Sequence, residues 1–279
     1  MTNFLSSRML SSDGLVYSFN PTTATIDGFS FTIPDSFKVY SYDVLKVDEN
    51  TNLLVGSASS IDGDGSGIFY TSFGNDGFSS EVIEILNEYR YGNQTWPTVA
   101  KSDSEILVTW SDYGQKDGIV QFFDLSLGYI GQQTNIATYY YSAVSTEGGD
   151  TDFSLFQNSS NGTLYHQGIS ADGTSQAREE VKYTNTSELK YEVITATNGK
   201  TWVVDSNNQD VYLTQLINGS STDSIRVNFN LDGTQYRPSI IEIGDENLLV
   251  TWSTSKDDIW DRSPDNNLSG RFFHQRVIH

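Results

Sequence analysis

Cysteine is absent from the 279 residues. That excludes disulfide staples, thiolate nucleophiles, Cys-ligated zinc and iron–sulfur clusters. Basic residues are scarce: 16 Lys and Arg stand against 36 Asp and Glu, a formal charge of −20. Such a field repels phosphate backbones and anionic bilayers, so nucleic acid is not an expected partner. Histidine is nearly missing. Three copies (His166, His274 and His279) leave little for imidazole metal centres or Ser–His relays. No apolar run approaches the roughly 18–20 residues that cross a bilayer, so membrane insertion is not expected. Met1–Arg8 shows no basic start followed by an apolar stretch, so no signal peptide is visible. What the chain has in quantity is Gly, Ser, Thr, Asn and aromatics. Aromatics reach 13% while charged residues stop at 19%, a composition of turns and strands rather than helix bundles.

Internal repetition organises the sequence. Trp96-Pro-Thr-Val…Ile106-Leu-Val-Thr-Trp110-Ser is matched by Arg237-Pro-Ser-Ile…Leu248-Leu-Val-Thr-Trp252-Ser. Weaker copies are Leu53-Leu-Val-Gly-Ser57, Phe153-Ser-Leu-Phe-Gln157 and Trp202-Val-Val-Asp205. Positions equivalent to Trp110 fall at 57, 110, 157, 205 and 252, a spacing of 53, 47, 48 and 47. A second marker follows each apolar strand, as in Gly67-Ile-Phe-Tyr, Gly118-Ile-Val-Gln and Gly270-Arg-Phe-Phe, and several copies close on Asp-Gly. A further strand opens most units, as in Glu81–Leu86 and Ile225–Phe229.

Four short strands per unit at this period point to β-propeller blades, because one four-stranded sheet cannot cover both its faces. The expectation is an all-β chain forming a single five-bladed β-propeller of about 47-residue repeats. Its units run over 15–77, 78–128, 129–173, 174–221 and 222–279, with 1–14 an extra N-terminal strand. The first unit carries an insertion from Pro21 to Pro34. The extra strand (Phe4–Leu10) is expected either to latch onto a neighbouring blade or to reach another subunit.

The best copies resemble a repeat of large secreted bacterial proteins of the RTX and adhesin kind. That repeat runs Pro-Ser-Val, a turn, Val-Val-Thr-Trp, an Asp-Gly-Ser-Gly loop, then Gly-Gln-Arg-Phe and Asp-Gly. Its loop is nearly intact here as Asp62-Gly-Asp-Gly-Ser-Gly67. The resemblance is good in units two and five and poor in three and four. It implies a cell-surface or extracellular setting and a non-enzymatic module, and it supplies no ligand.

Candidate chemistry is sparse. Asp62, Asp64 and Ser66 alternate as in the first half of a calcium loop, so calcium is the one cofactor to consider. Phe73 occupies the place of the bidentate Glu, however, and a β-hairpin turn accounts for the same glycines. A second acidic group, Asp257-Asp258…Asp261…Asp265, occupies the equivalent loop of the last unit. Trp110 and Trp252 recur at one place and suit blade packing. Trp260 has no repeat equivalent and sits between carboxylates, as a sugar-stacking ring would. Tyr140, within Tyr139-Tyr-Tyr141, and the pair Tyr89 and Tyr91 are the other candidate ligand contacts, since alternate rings of a strand face out.

Three function classes stay open. The first is a binding or adhesion module for a glycan or a surface protein, extracellular or on a virion surface, favoured by loops repeated around one ring. The second is a structural subunit of a virion or extracellular appendage, self-associating through the N-terminal strand. The third is a propeller-type glycosidase, for which two carboxylates about 5–10 Å apart suffice.

Overall fold

The computed structural model describes residues 7–10, 16–20, 25–26, 29–30, 38–74, 77–78, 83–136, 141–145, 152–158, 163–170, 172–183, 190–196, 198–207, 209–217, 220–229, 233–243, 247–255 and 267–274. Every regular element among them is a strand. The chain divides into two compact units, Met1–Ala143 with Ala171–Gly173, and Val144–Ser170 with Thr174–His279.

In the first unit, β1 (Ser7–Leu10), β2 (Val16–Asn20), β3 (Thr25–Ile26) and β4 (Phe29–Ser30) form one small sheet in sequence order. The N-terminal strand thus pairs antiparallel with β2, with Ser7 opposite Phe19. Only five residues separate the two strands, so the closure cost is small. The segment expected as an insertion in the first repeat belongs to this sheet.

The first blade sheet follows: β5 (Val39–Lys46), β6 (Asn52–Ser59), β7 (Ser66–Gly74), β8 (Gly77–Phe78) and β9 (Glu84–Ile85), the last two both pairing with β7. The second is β10 (Gln94–Lys101), β11 (Glu105–Asp112), β12 (Asp117–Asp124) and β13 (Tyr129–Ile136). The third blade sheet is β14 (Tyr141–Ser145), whose first three residues belong to the first unit, with β15 (Phe153–Asn158), β16 (Thr163–Ile169) and β17 (Glu179–Tyr183) of the second. Next are β18 (Lys190–Thr195), β19 (Thr201–Ser206) and β20 (Val211–Ile217), which pairs with both β21 (Ser220–Ser221) and β22 (Ile225–Arg226). The last sheet has three strands, β23 (Thr234–Glu242), β24 (Asn247–Ser255) and β25 (Asn267–His274).

The phase of the repeat differs from the sequence expectation. The strands read as opening units close the preceding sheet instead. Ile85 pairs with Phe69 and Ile225 with Leu213. Leu86 N–H donates to Ile68 O and Val227 N–H to Val211 O, which zips each closing strand onto the outer part of its own blade.

The second strands β6, β11, β15 and β19 are buried on both faces, which is why they read as largely apolar runs, whereas β24 buries alternate residues (Leu248, Val250 and Trp252). Ile106, Val108 and Trp110 of β11 pack with Leu53 and Val55 of β6 and Ile68 of β7. In the second unit Trp202 and Val204 face Ile240, Val250 and Trp252, while Val203 between them faces Phe156 and Leu164. Alternation along β19 therefore serves two neighbours at once. Each such aliphatic side chain contributes about 1.5–3 kcal/mol by leaving water.

Three of the first strands carry an irregularity: between Val39 and Ser41, Thr95 and Thr98, and Tyr236 and Ser239. In two of them the bulge holds Pro97 or Pro238, a residue with no ladder N–H to give.

Candidate binding site

Within the first unit, five aromatic side chains lie exposed on the turns and strand ends where β5 and β10 begin. Tyr40, Tyr89, Tyr91, Trp96 and Tyr113 are 39–70% exposed. Their segments are pressed together through glycines. A Cβ at Gly65 would collide with the Gly92 carbonyl, and one at Gly114 with the Tyr91 carbonyl, also coming within 2.9 Å of the Tyr89 ring. The 60–65 turn, the 86–93 connection and the 113–116 turn thus form one continuous surface.

A buried polar network lies beneath it. Asn87 Nδ2 donates to Asp62 Oδ2 at 2.6 Å, to the Tyr89 carbonyl at 2.8 Å and to Gln94 Oε1 at 3.3 Å. Gln94 Nε2 donates to the Tyr91 carbonyl at 3.1 Å and to Asp112 Oδ1 at 3.4 Å. Asp112 accepts in addition from Gln115 N–H at 2.9 Å and Gln115 Nε2 at 3.2 Å. Gly92 N–H donates to Asp64 Oδ2 at 3.0 Å, and Tyr113 N–H to the Asn93 carbonyl at 2.9 Å. The backbone that carries Tyr89 and Tyr91 is therefore held at four successive points. A loop so held loses little freedom on meeting a ligand.

Trp96 has a backbone feature of its own. It precedes Pro97 inside the β10 bulge and adopts φ +51°, a region that bulky L residues rarely enter. Its N–H donates to Ser41 Oγ at 3.1 Å, and Ser41 Oγ lies 2.8 Å from Ser57 Oγ. The indole meets Tyr113 edge to face, with centroids 5.8 Å apart and planes at 62°.

The sequence candidates divide. Tyr89 and Tyr91 fall on this surface. Trp260, Tyr140 and the 257–265 acidic group lie outside the described residues. Asp62, Asp64 and Ser66 point their oxygens at three different partners: Asn87, the Gly92 N–H, and, for Ser66 Oγ as donor, the Gln94 carbonyl at 3.0 Å. No group of three or more His, Asp or Glu gathers at metal-ligand distance among the described residues. Tyr40, Trp96 and Tyr113 were not anticipated as contacts. The available signal was Trp96-Pro97 within a strand pattern, since proline there marks a bulge that re-aims the neighbouring side chain.

Two other titratable groups are perturbed. Burial pushes the Asp43 carboxyl up, against hydrogen bonds from Val99 N–H at 3.0 Å, Val44 N–H at 2.9 Å and the Thr98 hydroxyl at 3.2 Å. In the second unit burial pulls His166 below its ordinary value, while Glu179, its register partner, works the other way. His166 Nε2 lies 2.8 Å from Ser154 Oγ and its ring 5.2 Å from Phe156. Ser154 and His166 are thus in hydrogen-bond contact, with Glu179 opposite His166 in the register. Yet Ser154 is 5% exposed near the start of β15, between the buried Phe153 and Leu155, and presents no hydroxyl to a substrate.

No family model and no curated protein matches the chain. Solved structures do. The Dos1 propeller is similar at TM-score 0.57 and 8% identity, over 91% of this chain and 67% of that one. AofleA from Arthrobotrys oligospora is similar at 0.54 and 10%, over 91% and 76%. An ulvan lyase, described as a new family of polysaccharide lyase, PL25, gives 0.50 and 10%, over 90% and 77%. At such identities the likeness carries the fold alone. The chain is an all-β protein of the five-bladed β-propeller class, its five blade sheets lying between Val39 and His274.

Proposed function

We propose that the protein is a non-enzymatic binding and adhesion module that recognises glycans through its blade loops, in an extracellular or virion-surface setting. The observation that carries this reading is the loop bearing Tyr89 and Tyr91. Its rings are exposed while its backbone is clamped from below by Asn87, Gln94 and Asp64. Exposed aromatic rings offer flat apolar area to the C–H faces of sugars, and phenol hydroxyls both donate and accept. The resemblance to RTX and adhesin repeats and the charge of −20 support a surface or extracellular location.

A glycan array probed with the purified protein, with and without EDTA, tests the reading. Binding to a restricted set of glycans is expected. Loss with EDTA and recovery with calcium would assign the Asp62–Ser66 loop a calcium-assisted role. Absence of binding in both conditions would remove the glycan reading.

A further inference from the structure

We propose that Trp96 and Tyr113, flanked by Tyr40, form the sugar platform itself, and that it takes uncharged pyranoses rather than uronic or sulfated ones. This inference rests on the glycan-binding reading above and deepens it. Trp96 is 44% exposed and Tyr113 39%, although both sit beside β11, which is buried from Ile106 to Asp112. The Trp96 backbone is held at φ +51° immediately before proline, and its N–H is tied to the strand bearing Tyr40 through Ser41. Strain of this kind persists only where the surroundings enforce it. Here it lifts the largest aromatic side chain out of the ladder and sets it across Tyr113.

Two rings inclined at 62° with centroids 5.8 Å apart make a shallow angular seat. One ring takes a pyranose face and the other its edge. Charge then selects among sugars. On and beside these turns Asp62, Asp64, Glu88, Asp112 and Asp117 outnumber Arg90, Lys116 and Lys38, whose ammonium lies 5.9 Å from the Tyr40 ring centroid, within a chain of 36 acidic and 16 basic residues. A carboxylate or sulfate on the ligand would approach against that field. Neutral hydroxyls meet no such barrier, and the phenol groups of Tyr89, Tyr91 and Tyr113 stand on the same segments to bond them.

The test measures retention of the whole protein on immobilised galactomannan and on immobilised polygalacturonate, with Trp96→Gly, Trp96→Phe and Tyr113→Ala alongside. Glycine relieves the positive φ, so the first variant keeps its fold, which circular dichroism verifies. Retention on galactomannan but not polygalacturonate is expected, weakened about tenfold or more by Trp96→Gly and by Tyr113→Ala, and less by Trp96→Phe. Galactomannan binding unchanged in both loss variants would overturn the platform and leave the glycan reading standing, as would equal or stronger binding to polygalacturonate. Retention on neither polymer would overturn the platform. An array that also shows no binding would then remove the broader reading.

Discussion

Asn87 donates to the Asp62 carboxylate at 2.6 Å while its own carbonyl accepts from Ile68 N–H at 2.7 Å. Three repeats later, Asn228 does the same, donating to Asp210 Oδ1 and accepting from Val211 N–H, each at 2.8 Å. Each Asn thus fastens the segment after a closing strand to the start of the third strand of its blade. Two of the five blades end on the same device.

Asn87→Ala leaves a buried backbone N–H and a largely buried carboxylate without this partner. A loss of about 2–3 kcal/mol is expected, since each buried orphan costs roughly 1–3 kcal/mol. Asn228→Ala should cost a similar amount. Urea unfolding of both variants measures this, and a change under 0.5 kcal/mol in either would refute the shared role.

The two tryptophans of the second blade sheet should behave in opposite ways. Trp110 is 1% exposed within the core shared by β6 and β11, so Trp110→Ala should cost about 3–5 kcal/mol. Trp96→Gly removes a half-exposed ring and a strained φ, so stability should stay within about 1 kcal/mol of the parent. Thermal melts of the two variants side by side decide the point.

A pH effect follows from His166. Its folded pKa lies below the ordinary 6.5 because burial disfavours the imidazolium. The unfolded chain therefore takes up the proton first. Stability from this group is complete above about pH 6.5 and is lost as pH falls through that value towards the folded pKa, at no more than about 1.4 kcal/mol per pH unit. Melting temperatures at pH 7.5 and 5.5 should fall further for the parent than for His166→Gln. Parallel falls would contradict the assignment.

Asp43 acts with the opposite sense. Its folded pKa is raised, so its ionisation is disfavoured in the fold and its contribution to stability grows as pH falls. The acid-side stability loss should therefore be steeper in Asp43→Asn than in the parent, read from urea midpoints at pH 7 and 4.5. A shallower loss in the variant would reverse the sign.

Much of the architecture was legible in the sequence because second strands packed between sheets are apolar over most of their length. Ile106-Leu-Val-Thr-Trp110 and Leu248-Leu-Val-Thr-Trp252 declare themselves by that continuity. The phase was not legible. A periodic pattern can be cut at any point, and what marks the cut is the pairing of Ile85 with Phe69 and the hydrogen bond that Ile68 N–H donates to Asn87 Oδ1, invisible to composition. The N-terminal sheet was missed for a related reason, since its strands are too short to show alternation. At the site, Tyr89 and Tyr91 stood out as isolated aromatics among polar residues. Trp96 did not, because it occupies the repeat position of Arg237 and reads there as part of a strand. Only the bulge and the pre-proline backbone turn it outward.

The most direct trial of a glycan-binding surface on this propeller is hydrogen exchange read by mass spectrometry, with and without soluble galactomannan oligosaccharide. Slowed exchange over 88–96 and 113–116, with residues 152–274 unchanged, is the predicted result. Protection confined to 152–274, or none anywhere at saturating sugar, would contradict it.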